Sequence, residues 1–412
     1  MTAVAKIEKI KVEVQHELRD RDILCFSHDW TSDPLSKTHL MRVLAKDNRI
    51  LWVNAIANRM PKASSQDVSR IFKKLKSFKE PIHEVESNIF VLNPLAFPSY
   101  GNTSILKINR RFLAGQVKRA MRRLGFENVV NMVFNPAAGM IAGRLGESEV
   151  IYYCVDEFTA FTGASRGLKE IEEDLLRRAD LVVVSAERLF DSKKHFNPDT
   201  YVIRHGTDWW HFHTALDPAL AVPPDIDDLP RPIIGFHGLL ADWVDYELIK
   251  KVAEYFVRGS VVLIGKIAVD AEQKIKILND VVNVHFLGRK AYADLPAYCK
   301  SFDVAISPFV INELTLAANP LKVREYLAAG LPVVSTDIPE ARVLRDCLIG
   351  TGHDDFIRKI ELALANPKTR EAVSDAVAHE SWEAKVDELR EIISERTKNK
   401  KVKTENEIPF SV

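Results

Sequence analysis

The stretch NPLKVREYLAAGLPVVSTD, residues 319–337, reads as a helix followed by a buried strand. Asn319 suits the N-cap and Pro320 the first helical turn. Gly330 suits the left-handed residue just past the helix end, and Pro332 stops the helix from continuing. The run PVVS that follows is apolar without alternation, the mark of a strand covered on both faces. Lys322 and Glu325 stand three residues apart in the first two turns. As an exposed pair they would add about 0.2–0.5 kcal/mol to the helix. At a helix mouth, free N–H groups and the helix dipole favour an anion. There a lysine suits a phosphate, and a carboxylate one turn deeper can accept two hydrogen bonds from the vicinal diol of a ribose. On these two residues alone both readings stay open.

The same strand-then-helix alternation extends in both directions. Apolar runs at 22–27, 49–54, 88–93, 128–134, 150–154, 180–185 and 200–206 are rich in Val, Ile and aromatics, with helical stretches such as 166–179 between them. Residues 215–231 are rich in Pro and Asp and have no period. The alternation then restarts at 231–238, 260–265, 282–288, 303–309 and 332–337. This predicts an α/β chain of two Rossmann-like, doubly wound parallel-sheet domains facing a cleft. The expected division is a first domain over 1–215, a linker over 216–230, a second domain over 231–380, a closing helix over 381–395 and a flexible tail over 396–412. Ligands of such sheets bind beyond the carboxyl ends of the strands. That directs attention to His28 and Trp30, Asp156, His205, His237 with Gly238, and Lys266.

With 412 residues the chain exceeds one ordinary core, which agrees with two domains. Net charge is zero overall, so the whole chain advertises no polyanionic partner, and no nucleic-acid motif is present. The charge is uneven: residues 59–123 hold 14 basic against 4 acidic side chains. Segments 70–79 and 107–125 combine Lys and Arg with Phe, Leu and Ile at helical spacing, which suits either an anionic membrane surface or a plain solvated face. The four cysteines are far apart and form no CxxC, as expected of thiols in a reducing compartment. The charged N-terminus lacks the apolar core of a signal peptide, and no run approaches the ~20 apolar residues of a membrane span. A cytoplasmic protein is expected, peripheral on the inner membrane face if the basic segments dock there.

The segment 320–334 resembles the signature P-x-K-x-x-E-Y-x-A-x-G-x-P-V-V of bacterial GT-B glycosyltransferases that use nucleotide sugars. Further segments resemble that family in order: DILCFSHDW (22–30), LMRVLAKDNRILWVN (40–54), RADLVVVSAERL (178–189), VIRHGTD (202–208), GFHGLLADWVDYELI (235–249) and VHFLGRKAYADLPAYCKSFDVAISPF (284–309). The resemblance implies a donor site in which Glu325 binds the ribose hydroxyls and Lys322 the diphosphate. Asn319 and Pro320 would shape the loop near the sugar, and His237 and Gly238 would let backbone approach the phosphates. Many retaining members carry a second Glu where Ala317 stands, with Glu313 the nearest acid. The usual Arg and Lys after the first strand of the second domain are replaced by LLADW, which leaves Lys322, the helix dipole and Lys266 for the phosphates.

On the acceptor side, sugar transfer by inversion needs a base for the acceptor hydroxyl. Asp156 at a strand end is the candidate; an N-cap or loop role is the alternative. Trp30 could stack on a sugar or pack on a helix, and His28 and His205 complete the candidate acceptor residues. The reading is a glycosyltransferase moving a sugar from a nucleoside-diphosphate sugar, UDP foremost, to a glycan or lipid-linked acceptor in cell-surface polysaccharide synthesis. It implies no metal and no separate cofactor. The alternatives are a nucleotide-sugar 2-epimerase and a degenerate transferase acting as a membrane-associated scaffold.

Overall fold

The computed structural model describes residues 18–54, 82–95, 103–161 and 166–406. The basic segment 70–79 lies outside them. The chain divides into two compact units. One runs to Ser185 and adds Leu189–Ile203 and the residues from Lys385; the other holds Ala186–Arg188 and Arg204–Ala384.

The first unit is built on eight strands: β1 (Asp22–Phe26), β2 (Arg49–Val53), β3 (Ile82–Glu86), β4 (Ile89–Leu92), β5 (Val130–Val133), β6 (Glu149–Cys154), β7 (Leu181–Val184) and β8 (Thr200–Val202). Their order is β3-β4-β2-β1-β5-β6-β7-β8, and only the β3/β4 pair is antiparallel. Seven of these strands are the predicted apolar runs. β3 has no such run because it is an edge strand paired on one side only, so its sequence IHEVE stays largely in contact with water. The helix Trp382–Asn406 continues past the expected end at 395 into the expected tail. Arg396 explains the extension. It is buried in the first unit, with Nη1 2.5 Å from Glu149 Oε1 and Nε 3.1 Å from Asp199 Oδ2, while Nη2 lies 3.8 Å from Asp180 Oδ1. Three acids at the amino ends of β6, β7 and β8 thus converge on one guanidinium of this helix.

The second unit holds β9 (Ile233–His237), β10 (Ser260–Ile264), β11 (Val284–Gly288), β12 (Val304–Ser307), β13 (Val333–Thr336) and β14 (Cys347–Gly350). All pairs are parallel, in the order β11-β10-β9-β12-β13-β14. This is the strand order of a Rossmann sheet. Successive residues feed opposite cores: Ile233, Val262, Ala305 and Val333 join one buried cluster, and Ile234, Val261, Val304 and Val334 the other. Burial on both faces is why these strands read as unbroken apolar runs, each large side chain contributing roughly 1.5–3 kcal/mol. Residues 216–230, expected as a linker, belong to this unit. Their short helix Pro224–Asp227 places Ile226 fully inside one of the two cores.

Candidate functional site

In the second unit, β9 and β12 lie side by side, and the chain leaves them toward opposite edges. Such a switch point opens a crevice beyond the carboxyl ends of the two strands. β9 ends at His237, and Gly238 follows with φ +154°. Gly265, just beyond β10, has φ +155°, and a Cβ there would lie 1.7 Å from Gly238 O. Only glycine permits this approach. The Gly238 N–H donates to Ile264 O at 2.9 Å, so the two strand ends are held backbone to backbone. The loops beyond are tied in the same way: Leu240 N–H donates to Lys266 O, Ala268 N–H to Leu240 O and Asp245 N–H to Pro308 O.

Helix Leu321–Ala328 begins beside this crevice, as its contacts with His237 below show. Its N-cap is Pro320, not Asn319, and no side chain caps its first N–H groups. Asn319 is taken elsewhere. Its side-chain oxygen accepts from Arg324 Nη1 at 2.5 Å, because Arg324 is fully buried and needs acceptors. Arg324 Nε also reaches Glu380 Oε2 at 3.4 Å. His205, expected on the acceptor side, is part of this second unit: its Nδ1 lies 3.1 Å from Asn319 O and its ring faces Trp382. At the other helix end Gly330 has φ +73°, as expected, and a Cβ there would strike Arg370 O.

Lys322 Nζ lies 2.9 Å from Glu325 Oε2. This is not a surface pair: the Glu325 side chain is 2% exposed and that of Lys322 24%. Burial raises the Glu325 carboxyl above its ordinary value, and Lys322 opposes the rise. His237 is equally buried, with Nε2 3.9 Å from the same Glu325 oxygen. Tyr326 fixes His237 from the next helical position, accepting from its N–H at 2.7 Å and donating to its C=O at 3.1 Å. Lys266 and Glu313 are exposed. Ala317, where many of the family's retaining members carry an acid, is buried.

The first unit has a second ionisable group of residues beyond β1 and β6. Asp156 follows β6, and burial lifts its carboxyl from 3.8 to about 6, opposed by the charge of Lys37. Lys37 stands at the start of helix Ser36–Leu44; burial pushes its ammonium down, and Asp156 holds it up. Burial and then Lys37 lower the His28 imidazole to about 3, so it is neutral. His28 is held by Ser27 Oγ at 3.1 Å and Thr38 Oγ1 at 3.4 Å. The Trp30 ring meets Trp52 edge-on at 4.9 Å, and the Arg42 guanidinium lies 5.6 Å from the Trp30 ring centroid. Sequence reasoning missed Lys37. The only signal available was a lysine at a helix start beyond the first strand.

Among the described residues no group of three His, Cys, Asp or Glu side chains is placed to hold a metal ion. Among the described residues no helix is long and apolar enough to cross a membrane.

Residues 231–377 match the family model for Glycosyl transferases group 1. The chain is 24% identical over 250 residues to TuaH of Bacillus subtilis (strain 168), a glycosyltransferase assigned to teichuronic acid biosynthesis. That match spans 56% of this chain and 62% of TuaH. Among solved structures, sucrose-phosphate synthase (tll1590) from Thermosynechococcus elongatus superposes with a TM-score of 0.68 at 15% identity, covering 92% of this chain and all of that one. Anabaena Alr3699/HepE in complex with UDP-glucose gives 0.63 at 15% identity, covering 92% and 99%. The matched residues contain the crevice, the signature helix and the Lys322–Glu325 pair, and the fold is that of these two-domain enzymes. Residues 231–377 are therefore a group 1 glycosyl transferase domain, within a chain that has the fold of these solved structures.

Proposed function

We propose that the protein transfers a sugar from a UDP-sugar to a glycan or lipid-linked acceptor in cell-surface polysaccharide synthesis. The observation that carries this reading is the buried Glu325, paired with the more open Lys322, at an uncapped helix start beside the crevice of a Rossmann sheet. Glu325 is the ribose-binding group. Lys322 and the free helix N–H groups take the diphosphate and stabilise it as it leaves. Gly238 and Gly265 keep side chains away from that approach. HepE, a protein of this fold, is seen with UDP-glucose, which supports a UDP-sugar; TuaH is assigned to teichuronic acid biosynthesis, which supports a glycan product.

In the first unit, Asp156 is the base that takes the acceptor proton. Its carboxyl near 6 is ionised at neutral pH yet far more basic than an ordinary aspartate. His28 and Trp30 line the same strand-end face for the acceptor. Helix Thr103–Leu124 has no acidic residue and exposes Ile108 and Phe112 beside Arg111, Lys118, Arg119 and Arg122. That composition suits docking on an anionic inner leaflet beside a lipid-linked acceptor.

Isothermal titration with UDP tests the donor site. Binding that falls at least tenfold in Lys322→Ala and Glu325→Ala supports it; unchanged affinity in both variants overturns it. Incubation with UDP-sugars and polyprenyl-phosphate acceptors tests the reaction. Interconversion of the UDP-sugar without acceptor would instead identify an epimerase. Flotation with anionic against neutral vesicles tests the helix, and equal flotation on both removes the membrane assignment.

A further inference from the structure

We propose that His237 is a positioning residue that takes over the Glu325 carboxylate when a diphosphate draws Lys322 away. The inference rests on the nucleoside-diphosphate reading above. In the structure one oxygen, Glu325 Oε2, faces two nitrogens: Lys322 Nζ at 2.9 Å and His237 Nε2 at 3.9 Å. The lysine cannot both stay there and bind a phosphate. Its side chain is the open member of the trio, at 24% exposure, and its stem runs past Gly238, where a Cβ would lie 3.9 Å from Lys322 Cε. That path leads to the strand end where phosphates would approach. Its departure would remove the positive charge from a carboxylate with 2% exposure and leave it only the neutral hydroxyls of the ribose, so a further N–H donor is favoured there.

His237 is built to fill that role. Its Nε2 is buried and has no hydrogen-bond partner among the described residues. Its ring cannot drift: Phe212 lies parallel to it at 5.9 Å and Tyr326 meets it edge-on at 4.6 Å. Its backbone is clamped on both sides by the Tyr326 hydroxyl. A carboxylate movement of about 1 Å brings 3.9 Å within hydrogen-bond range. The other groups that act on Glu325 are committed elsewhere. His211 Nε2 lies 2.9 Å from Tyr292 O, and the Asp208 side chain caps its own helix. Burial and the Lys322 charge keep the His237 imidazole neutral. It therefore donates to Glu325 without competing with Lys322 for the diphosphate.

The test compares uridine with UDP on wild type, His237→Phe and His237→Gln. Titration calorimetry reads UDP, and ligand-observed NMR reads uridine at millimolar concentration. Uridine has no phosphate and leaves Lys322 on Glu325; UDP releases it. His237→Phe keeps an aromatic ring against Phe212, and the expected result is about a tenfold loss for UDP with uridine nearly unchanged, the size of one charge-assisted hydrogen bond. His237→Gln carries an amide N–H near the position of Nε2 and should restore most of the UDP affinity. Equal losses for uridine and UDP, no loss for UDP, or no rescue by Gln overturns the proposal while the donor site stands. Failure of the wild type to bind UDP overturns the functional reading, and this inference with it. Should His237→Phe not fold, nitrogen-15 histidine NMR of the wild type decides: the His237 Nε2 signal must shift with UDP and not with uridine, and an unmoved signal at saturating UDP refutes the handover.

Discussion

Replacing Asp156 with asparagine should remove a pH-dependent cost from the first unit. Burial lifts this carboxyl from 3.8 to about 6 even with Lys37 opposing it. A group whose pKa is higher folded than unfolded holds its proton more tightly in the folded state. Its favourable contribution is complete below about pH 4 and is lost as pH rises through about 6. At about 1.4 kcal/mol for each pH unit, the loss is about 3 kcal/mol, and screening at this partly open group lowers the expected figure to about 2 kcal/mol. Asp156→Asn lacks the titration, so wild type should lose about 2 kcal/mol relative to the variant between pH 4 and 7. Urea unfolding of both proteins at four pH values across that window reads the difference directly. The absolute level at pH 7 is a poorer measure, because the variant also leaves Lys37 without its acid. Parallel stability curves from pH 4 to 7 would refute the reasoning and remove the physical basis for Asp156 as base. The same shift places the acid limb of kcat/KM near 6. Lys37→Met removes the opposing charge and should move that limb to higher pH.

Three further outcomes follow from the packing. Glu325→Gln should weaken UDP binding at least tenfold, since hydrogen bonds from a diol to a charged carboxylate contribute roughly 1.5–3 kcal/mol; unchanged titration curves would place the ribose elsewhere. Gly265→Ala forces a Cβ into Gly238 O and should cost about 3 kcal/mol or more, read as a lowered unfolding midpoint together with weaker UDP binding. An unchanged midpoint would show that the two strand ends are not in contact. Arg396→Met removes the shared cation from Glu149, Asp180 and Asp199 and should destabilise the first unit by about 1–2 kcal/mol in urea unfolding, since two of the acids keep contact with water; an unchanged midpoint would mean the guanidinium contributes nothing there.

What could be read from the chain followed burial on two faces. Strands such as β1, β7 and β12 are apolar at consecutive positions because both faces are covered, and that pattern needs no tertiary knowledge. β3 and β14 escaped it, the first as an exposed edge, the second as only four residues, CLIG. The 216–230 segment misled for a different reason. Pro and Asp describe its local turns correctly, but one residue, Ile226, commits it to a core. The composition of 396–412 suggests a flexible tail, yet its Arg396 meets acids drawn from three separate strands' amino ends, a convergence no local window contains.

The site divides along the same line. Gly330 and the helix it ends were legible because turn chemistry is local. Lys37 was not, since its importance comes from Asp156, more than a hundred residues away along the chain. Lys322 and Glu325 lie between these cases. Their spacing is identical for a solvated surface pair and for a clamp, so periodicity cannot separate the two. What separates them is the environment of Glu325: the carboxylate is buried and faces His237 of β9, whose ring is itself held by Tyr326 and by Phe212 of helix Trp209–His213. An ion pair assembled for stability alone would be better replaced by apolar residues in such a place. Its persistence there, with one member open to solvent and a second nitrogen waiting on the same oxygen, is the arrangement expected of a pair meant to be broken by a ligand.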